Sequence, residues 1–372
     1  MLNEFPAPPA PAETPEGATP TAWGDGPYSI KRHGVTITSC DSEPVRTPGC
    51  IQPHGALLAV RAADLVVLQA SENVERHLGV PPDRLLQRPL GALLSAAHCE
   101  RLRRLLADEP VERNPTYAFT FEPPGGVPLD VSLHTIDGIA LLEFEATGRD
   151  GAPAPDYYAL VKRTVARLQA AASVRDYCQA IVEDVRTITG LDRVMVYRFH
   201  ADHSGEVYAE AAREDLPSWL GQRYPAEDIP LPAREIYKKL WIRPLPDAED
   251  GLAELVPLAN PDTGRPLEMT HCALRGASVM YTEYLRNMGV AASLTMPILR
   301  DGALWGLIAC HHYVPTPFPW HLRAACEFVA QVASLQFRNA EDREHLQYRL
   351  KMEGVHHALL SRAASEGGLA SF

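Results

Sequence analysis

The sequence predicts an α+β protein of two domains, each an antiparallel sheet flanked by helices, with a long helix at the C-terminal end. Three observations carry that prediction. Two Asp-Gly pairs, Asp137-Gly138 and Asp301-Gly302, each stand between apolar β-type runs, the strongest short-range signal for a hairpin. Helical and strand periodicities recur in two blocks separated by a linker-like stretch, Gly148–Pro155. From Trp320 onward Leu322, Cys326, Val329 and Val332 share one helix face, and the pattern runs on to about Arg349. At 372 residues the chain is long enough to bury two cores.

Taken in order, residues 1–35 open with Pro-Ala-Pro-Pro-Ala-Pro and hold too few apolar side chains to pack, which predicts a disordered leader. A short segment, Val35–Cys40, follows, and Cys40–Gly55 mixes turn formers with polar residues as an ordered connector would. The first domain, with its N-terminal segment, covers 36–147. Leu57–Val60 and Val66–Leu68 read as strands, Ser71 as the cap of a short helix ended by Gly79, and Cys99–Ala107 as a second helix. Tyr117–Phe121 and Leu129–Thr135 are strands across a Pro-Gly-Gly turn, and Asp137-Gly138 leads into Ile139–Glu145.

The second domain covers 148–319. Val161, Val165, Leu168 and Ala172 fall at helical spacing, and Ser173 with Asp176 begins a helix that buries Cys178, Ile181, Val185 and Ile188 before Gly190. Strands Arg193–Phe199 and Gly205–Ala211 come next. Three prolines keep Tyr224–Pro232 out of regular structure, and a helix bearing Ile236 and Leu240 follows. On residues alone this stretch fits either a ligand-holding segment or a proline-rich surface loop. Pro244–Pro266 reads as a long irregular insert, a length that is usually functional. A helix over Ser278–Asn287 and strands Ala292–Leu299 and Leu304–His312 complete the domain, and 320–372 is the long helix.

Composition excludes several classes. A net charge of -12 leaves no basic surplus to neutralise phosphates, which argues against nucleic acid and anionic membrane as partners. No apolar run of eighteen residues and no signal peptide occur, so the cytoplasm is the expected compartment. Seven scattered cysteines fit reduced thiols better than a disulfide framework. Cys310-His311-His312, with His271-Cys272, invites a zinc reading. Adjacent strand residues point to opposite faces, however, and no Cys-x-x-Cys or His-Glu-x-x-His spacing is present, so no metal is assigned. Without a nucleophile elbow or phosphate loop the chain does not read as an enzyme. A binding pocket remains: Ser293 and Thr295 share a strand face, and Arg243 and Arg275 offer forked donors to carboxylates, although spacing alone equally fits surface arginines.

Four motifs then carry a resemblance. Cys40 through Gly55, with Pro48-Gly49 and Gln52-Pro53-His54-Gly55, Pro225-Ala-Glu-Asp-Ile-Pro230, Tyr284-Leu-Arg-Asn-Met-Gly289 and Leu304-Trp-Gly-Leu-Ile-Ala-Cys-His-His312 occur in one order. From Val35 onward the chain closely resembles the photosensory part of bacterial phytochromes. The resemblance implies a PAS domain followed by a GAF domain, joined by a figure-of-eight knot in which the N-terminal segment threads the insert Pro244–Pro266. It implies a thioether-linked linear tetrapyrrole, biliverdin IXα, and red/far-red photochemistry. It also implies pairing as a homodimer through helices. Family members continue into a PHY domain and usually a histidine kinase, so the resemblance implies a truncated, near-infrared fluorescent fragment without its output domain and response regulator.

Residue by residue, the resemblance makes Cys40 the thiol added to the ring A vinyl group. Asp228, Ile229 and Pro230 lie beneath the pyrrole nitrogens, with the Asp228 carbonyl accepting their protons. Arg243 and Arg275 pair with one propionate, Ser293 and Thr295 with the other. Ser278 and Tyr281 belong to the same pocket, His311 contacts the ring D carbonyl, and Tyr197, Tyr224 and Tyr237 wall that ring. Met280 stands where relatives that use more reduced bilins place their cysteine. Three departures stand out: Glu227 replaces the usual Ser, Tyr281 the usual His, and Cys50 is unusual beside Gly49, a thiol able to compete with Cys40 but read as a buried structural cysteine. Two rivals fit the bare pattern: a GAF domain binding a cyclic nucleotide or another small regulator, and an interaction protein that pairs through its helices and binds nothing.

Overall fold

A computed structural model describes residues 28–34, 43–108, 111, 115–148 and 155–365. The first described element is one helical turn, α1 (Ile30–His33), beside which Tyr28 and Ile30 are buried. Residues 28–34, expected to belong to a disordered leader, are therefore ordered, and the rest of that leader lies outside the described residues. Ile30 donates its amide to the Pro48 carbonyl at 2.9 Å and packs with Cys50 and Leu252, partners too distant in sequence for local composition to reveal. Strands β1 (Cys50–Ile51), β2 (Gly55–Arg61) and β3 (Val67–Ser71) follow, then α2 (Val74–Leu78), α3 (Pro82–Leu85), α4 (Ala96–Asp108), β4 (Thr116–Phe121), β5 (Leu129–Ile136) and β6 (Ile139–Ala146).

The turn chemistry works as predicted at the hairpin: Asp137 and Gly138 have φ of 50° and 77°, both in the left-handed region a tight I′ turn requires. The Ser71 cap does not form. Ser71 ends β3, and its hydroxyl accepts from the Leu57 amide at 3.1 Å across the sheet. Asn73 takes the N-cap position and donates its side-chain amide to Pro53 and Gly55 carbonyls instead.

The second unit contains α5 (Tyr157–Ala170), α6 (Val174–Thr189), β7 (Arg193–Phe199), β8 (Gly205–Ala212), β9 (Arg223–Tyr224), α7 (Leu231–Tyr237), β10 (Arg243–Leu245), β11 (Ala253–Val256), α8 (Val279–Asn287), β12 (Ala292–Arg300), β13 (Ala303–His312) and α9 (Trp320–Ser365). Ser173 caps α6, accepting from the Asp176 amide at 3.1 Å. Six of these strands form one antiparallel sheet in the order β10-β12-β13-β7-β8-β9. One face of it carries Val194, Val196, Leu294, Met296, Ile308 and Cys310 into a core with α5, α6 and the first half of α9, where Cys326, Val329 and Phe337 are fully buried. Beyond Ala340 the helix leaves that core, and Leu346, Leu350 and Leu359 are exposed.

The insert Pro244–Pro266 is not irregular throughout. Its β11 crosses to the first unit and inserts between β1 and β3, giving a seven-stranded sheet of order β1-β11-β3-β2-β6-β5-β4. A four-residue strand whose partners belong to another unit leaves no periodic signature of its own. Residues 253–274 thereby cover the face of the first sheet opposite α2–α4, burying Leu57, Leu68 and Leu141 against Leu255, Met269 and Leu274. Gln52 holds the junction: its side-chain amide donates to the carbonyls of Pro244, Ala273 and Arg275 at 3.1, 3.1 and 3.2 Å. A second tie is the buried ion pair between Arg323 of α9 and Glu145 of β6. The figure-of-eight knot that the resemblance implies involves residues 35–42, which lie outside the described residues.

Candidate ligand site on the open sheet face

Directly paired residues in an antiparallel ladder share a face, so the register places the site residues. Arg243 is opposite Thr295, Leu245 opposite Ser293, Ser293 opposite His311, and Leu307 opposite Tyr197. All of these side chains emerge on the face away from the helices. His312, one residue on, turns to the other side and meets the Asp192 carboxylate at 2.8 Å, which separates the two histidines of the Cys-His-His run.

Two guanidiniums dominate one end. Arg243 and Arg275 are buried and donate to backbone carbonyls: Arg243 Nη2 to Gly276 and Arg275 Nη1 to Thr270, both at 3.0 Å. Arg243 Nη1 is buried with no partner. Burial and the neighbouring Arg243 charge lower the Arg275 pKa to about 9, so it remains a cation at neutral pH. A desolvated cation pair of this kind calls for an anion. The Glu43 carboxyl lies near this pair: burial raises its pKa, and a hydrogen bond with Ser278 and the charges of Arg275 and Arg243 oppose the rise. Glu43 to Thr47 also border a groove of 530 Å³ against Pro232, Glu235 and Ile236 of α7.

Aromatic rings line the other end. Tyr197 packs edge-on to Phe199 at 5.4 Å and tilts against Tyr224 at 6.0 Å. Its ring lies over Gly205, where a Cβ would come within 1.8 Å of Tyr197 Cζ, so only glycine fits. Tyr237 is buried among Ile236, Leu240 and Leu307. His311 stands edge-on to Trp219 at 5.9 Å, and burial with the Arg193 charge lowers its pKa to about 4, leaving a neutral ring with an unpartnered buried Nδ1.

The proline segment closes over this face as a 3₁₀ turn, Ala226–Asp228. Arg234 of α7 pins it by donating to the carbonyls of Ala226 and Ile229, the latter at 2.6 Å, and Pro230 stands at the N-cap position of α7. The Asp228 carboxylate accepts from Tyr284 of α8 at 3.2 Å. Its pKa is raised, first by burial and also by the adjacent Glu227, while the Tyr284 bond opposes the rise. Tyr281, one turn earlier on α8, donates to Ser293 Oγ at 3.0 Å, so this phenol is tied to the strand. Ser278 begins α8 with a buried, unpartnered hydroxyl.

The structure thus gathers Tyr197, Tyr224, Asp228, Ile229, Pro230, Tyr237, Arg243, Arg275, Ser278, Tyr281, Ser293, Thr295 and His311 around one sheet face. Cys40 lies outside the described residues. Cys50 is fully buried with Ser29 Oγ at 3.2 Å, and burial pushes its thiol pKa up, which suits a structural thiol. Sequence reasoning missed Arg234, Tyr284 and Trp219. Tyr284 is three residues beyond Tyr281, hence on the same helix face, a signal that was available. Trp219, stacked over Arg193 at 4.0 Å, comes from a loop that has none.

A helix-backed antiparallel sheet with a buried cation pair on its open face, joined to a sheet domain through a strand-bearing insert, defines a ligand-binding module of the PAS–GAF type. Family models match accordingly: a PAS fold over residues 40–147 and a GAF domain over 173–337. The chain is similar to the chromophore-binding domain of a bacteriophytochrome from R. palustris, with 36% identity and a TM-score of 0.74, over 82% of this chain and 99% of that one. It is 39% identical over 334 residues to cyanobacterial phytochrome B of Nostoc sp., covering 89% of this chain and 44% of that protein. To the bacteriophytochrome of Pseudomonas aeruginosa it is 39% identical over 304 residues, covering 81% of this chain and 40% of that protein. The chain belongs to the bacterial phytochrome family. It spans less than half the length of the two curated relatives.

Proposed function

We propose that this chain is a red/far-red light-sensing module that binds a linear tetrapyrrole on the open GAF sheet face. The pigment is biliverdin IXα, held by a thioether to Cys40. The single observation that carries the reading is the buried Arg243–Arg275 pair, with an unpartnered Arg243 Nη1, on the strand face that carries Ser293 and Thr295. One propionate supplies the anion this pair lacks, and the aromatic end seats an apolar ring. In this reading Arg243 and Arg275 bind one propionate in forked geometry and Thr295 serves the other. Ser293 does so while accepting from Tyr281. The 3₁₀ turn presents backbone carbonyls to the pyrrole N–H groups, and His311 with Tyr197, Tyr224 and Tyr237 confines the isomerising ring. The bilin supplies light absorption and double-bond isomerisation; these side chains fix its position and exclude water.

The proposed domains are a PAS unit to residue 147 and a GAF unit from 148, with the α9 extension leading to the signalling output. The apolar side chains exposed on α9, among them Leu346 and Leu350, support a homodimer through helices, which sedimentation at rising concentration tests. No helix among the described residues is long and apolar enough to cross a membrane, and we place the module in the cytoplasm.

Co-expression with a biliverdin source tests the function. The expected product absorbs red light, and its pigment stays with the chain through acid denaturation and gel filtration. Cys40→Ser is expected to bind pigment but release it on denaturation. A colourless wild-type protein overturns the reading, and pigment retained by denatured Cys40→Ser but lost from Cys50→Ser reassigns the thiol.

A further inference from the structure

Away from the pigment face, a group of metal-ligating side chains sits where the insert covers the PAS sheet. His134 of β5 and Glu143 of β6 are diagonal neighbours: His134 is directly opposite Leu141, and Glu143 lies two residues further on the same face. Cys272 arrives from the covering segment. Its Sγ is 3.7 Å from His134 Nε2, while His134 Nδ1 is 4.0 Å from Glu143 Oε1. One donor atom from each residue lies within 4.8 Å of the other two, and all three residues are buried.

The second observation is what these groups lack. His134 Nδ1 and Glu143 Oε1 are both buried without a hydrogen-bond partner. A buried orphan costs about 1–3 kcal/mol, so a ligand that fixes the ring proton on Nδ1 and takes the free carboxylate oxygen relieves both. Glu143 Oε2 is already fixed by the Leu274 amide at 2.6 Å, which aims the free oxygen inward.

We infer that His134, Glu143 and Cys272 form a zinc(II) site that pins the insert segment to the PAS sheet, independent of the pigment pocket. A thiolate, a carboxylate and an imidazole are zinc donors, and the carboxylate disfavours copper(I). Zinc with one thiolate and one carboxylate is neutral overall, which avoids burying net charge. Zinc takes one ring nitrogen of His134: at Nε2, bonds of about 2.0 to 2.3 Å in tetrahedral geometry place nitrogen and sulfur about 3.5 Å apart, close to the 3.7 Å to Cys272, and leave Nδ1–H facing the Glu143 carboxylate. The widest donor separation must close by roughly 1 Å, within the reach of the Glu143 and Cys272 side-chain torsions. Glu143 also lines a cavity of 40 Å³ with Ser132, His271 and Arg323 among others, which has room for a water beside the carboxylate. Binding converts the Cys272 thiol to thiolate, its proton passing to solvent. The Arg275 amide donates to the Cys272 carbonyl at 3.4 Å, so a metal at Cys272 would also steady the loop bearing one propionate-binding arginine.

The test uses the full chain without pigment and without a histidine tag. It is unfolded with chelator and reductant, desalted, and refolded with a small excess of zinc chloride; a second sample is loaded in the native state. After gel filtration over a weak chelator, zinc is counted by mass spectrometry. About one zinc per refolded chain is expected, falling at least about tenfold in Cys272→Ala but not in Cys310→Ala, a buried thiol elsewhere. Cobalt(II) in its place should give a thiolate-to-metal charge-transfer band, which identifies cysteine ligation without any variant. Refolded wild type that holds under about a tenth of an equivalent overturns the site, as does Cys272→Ala that holds as much as wild type.

Discussion

Replacing Arg323 by Met should cost several kcal/mol and loosen the PAS unit from the GAF unit. Arg323 Nη1 donates to Glu145 Oε1 at 2.7 Å and to the Phe318 carbonyl at 2.8 Å, and Nη2 donates to Glu145 Oε2. Both side chains are buried, and the other contact to the carboxylate is His54 Nε2 at 3.3 Å. Burial alone would raise the Glu145 pKa, but the Arg323 charge and hydrogen bonds from His54 and Arg323 bring it down to about 2 from the ordinary 4.5. A gap of about 2.5 pH units corresponds to about 3 kcal/mol. That agrees with the roughly 3–5 kcal/mol typical of breaking one partner out of a buried pair. Because the folded pKa is depressed, this stabilisation is present above pH 4.5 and is lost as pH falls from 4.5 to 2. The assay is urea unfolding in zinc-free buffer of wild type, Arg323→Met, Glu145→Leu and the double variant. The singles should each lose several kcal/mol, the double should recover most of it, and the coupling should exceed about 2 kcal/mol. A coupling below about 0.5 kcal/mol would falsify the claim that this pair joins the units.

Three further outcomes follow from the same structure. Gly205→Ala drives a Cβ into the Tyr197 ring, so it should cost about 1–3 kcal/mol and shift the absorbance of pigment-loaded protein; unchanged melting and spectrum would show that the ring does not rest there. In the pigment-free chain His311, with a folded pKa of about 4 against 6.5 unfolded, resists protonation, so its contribution is full above pH 6.5 and declines toward pH 4. Wild type should lose about 2 kcal/mol more than His311→Gln between pH 7 and pH 5, and parallel unfolding curves would contradict a buried neutral ring. Tyr281→Phe removes the bond to Ser293 at a cost of about 0.5–1.5 kcal/mol, and Tyr281→His should move the pH at which the red band bleaches. Superimposable titrations of the three pigment-loaded proteins would place Tyr281 outside the chromophore's proton network.

Much of the architecture was written locally. Asp137-Gly138 and Asp301-Gly302 demanded left-handed turns and Ser173 and Gly190 bracketed α6, each signal acting within a few residues of the chain. The three prolines were read too strictly: Tyr224 ends β9, and α7 begins at Leu231 and takes Pro232 into its first turn, where the missing N–H costs nothing. Strand spacing by itself placed only Ser293 and Thr295 on one face; the rest of the expected pocket came from the resemblance carried by the four motifs. Partnership across the fold was not legible. That β11 would leave its own unit to pair with β3, that Ile30 would find Pro48, and that Ser71 would serve the sheet were settled only when distant backbone donors and acceptors had to be satisfied. The same holds for charge. Arg243 and Arg275 read as possible surface residues until β10 paired with β12 and buried them, and Arg323 met Glu145 only because α9 packs against the PAS unit. His134, Glu143 and Cys272 carry no spacing signature, since their approach depends on a diagonal across two strands and a loop folded over them. Sequence determined which segments were helix, strand and turn; tertiary structure decided which buried groups face one another, because desolvation has no meaning until the chain has closed around them.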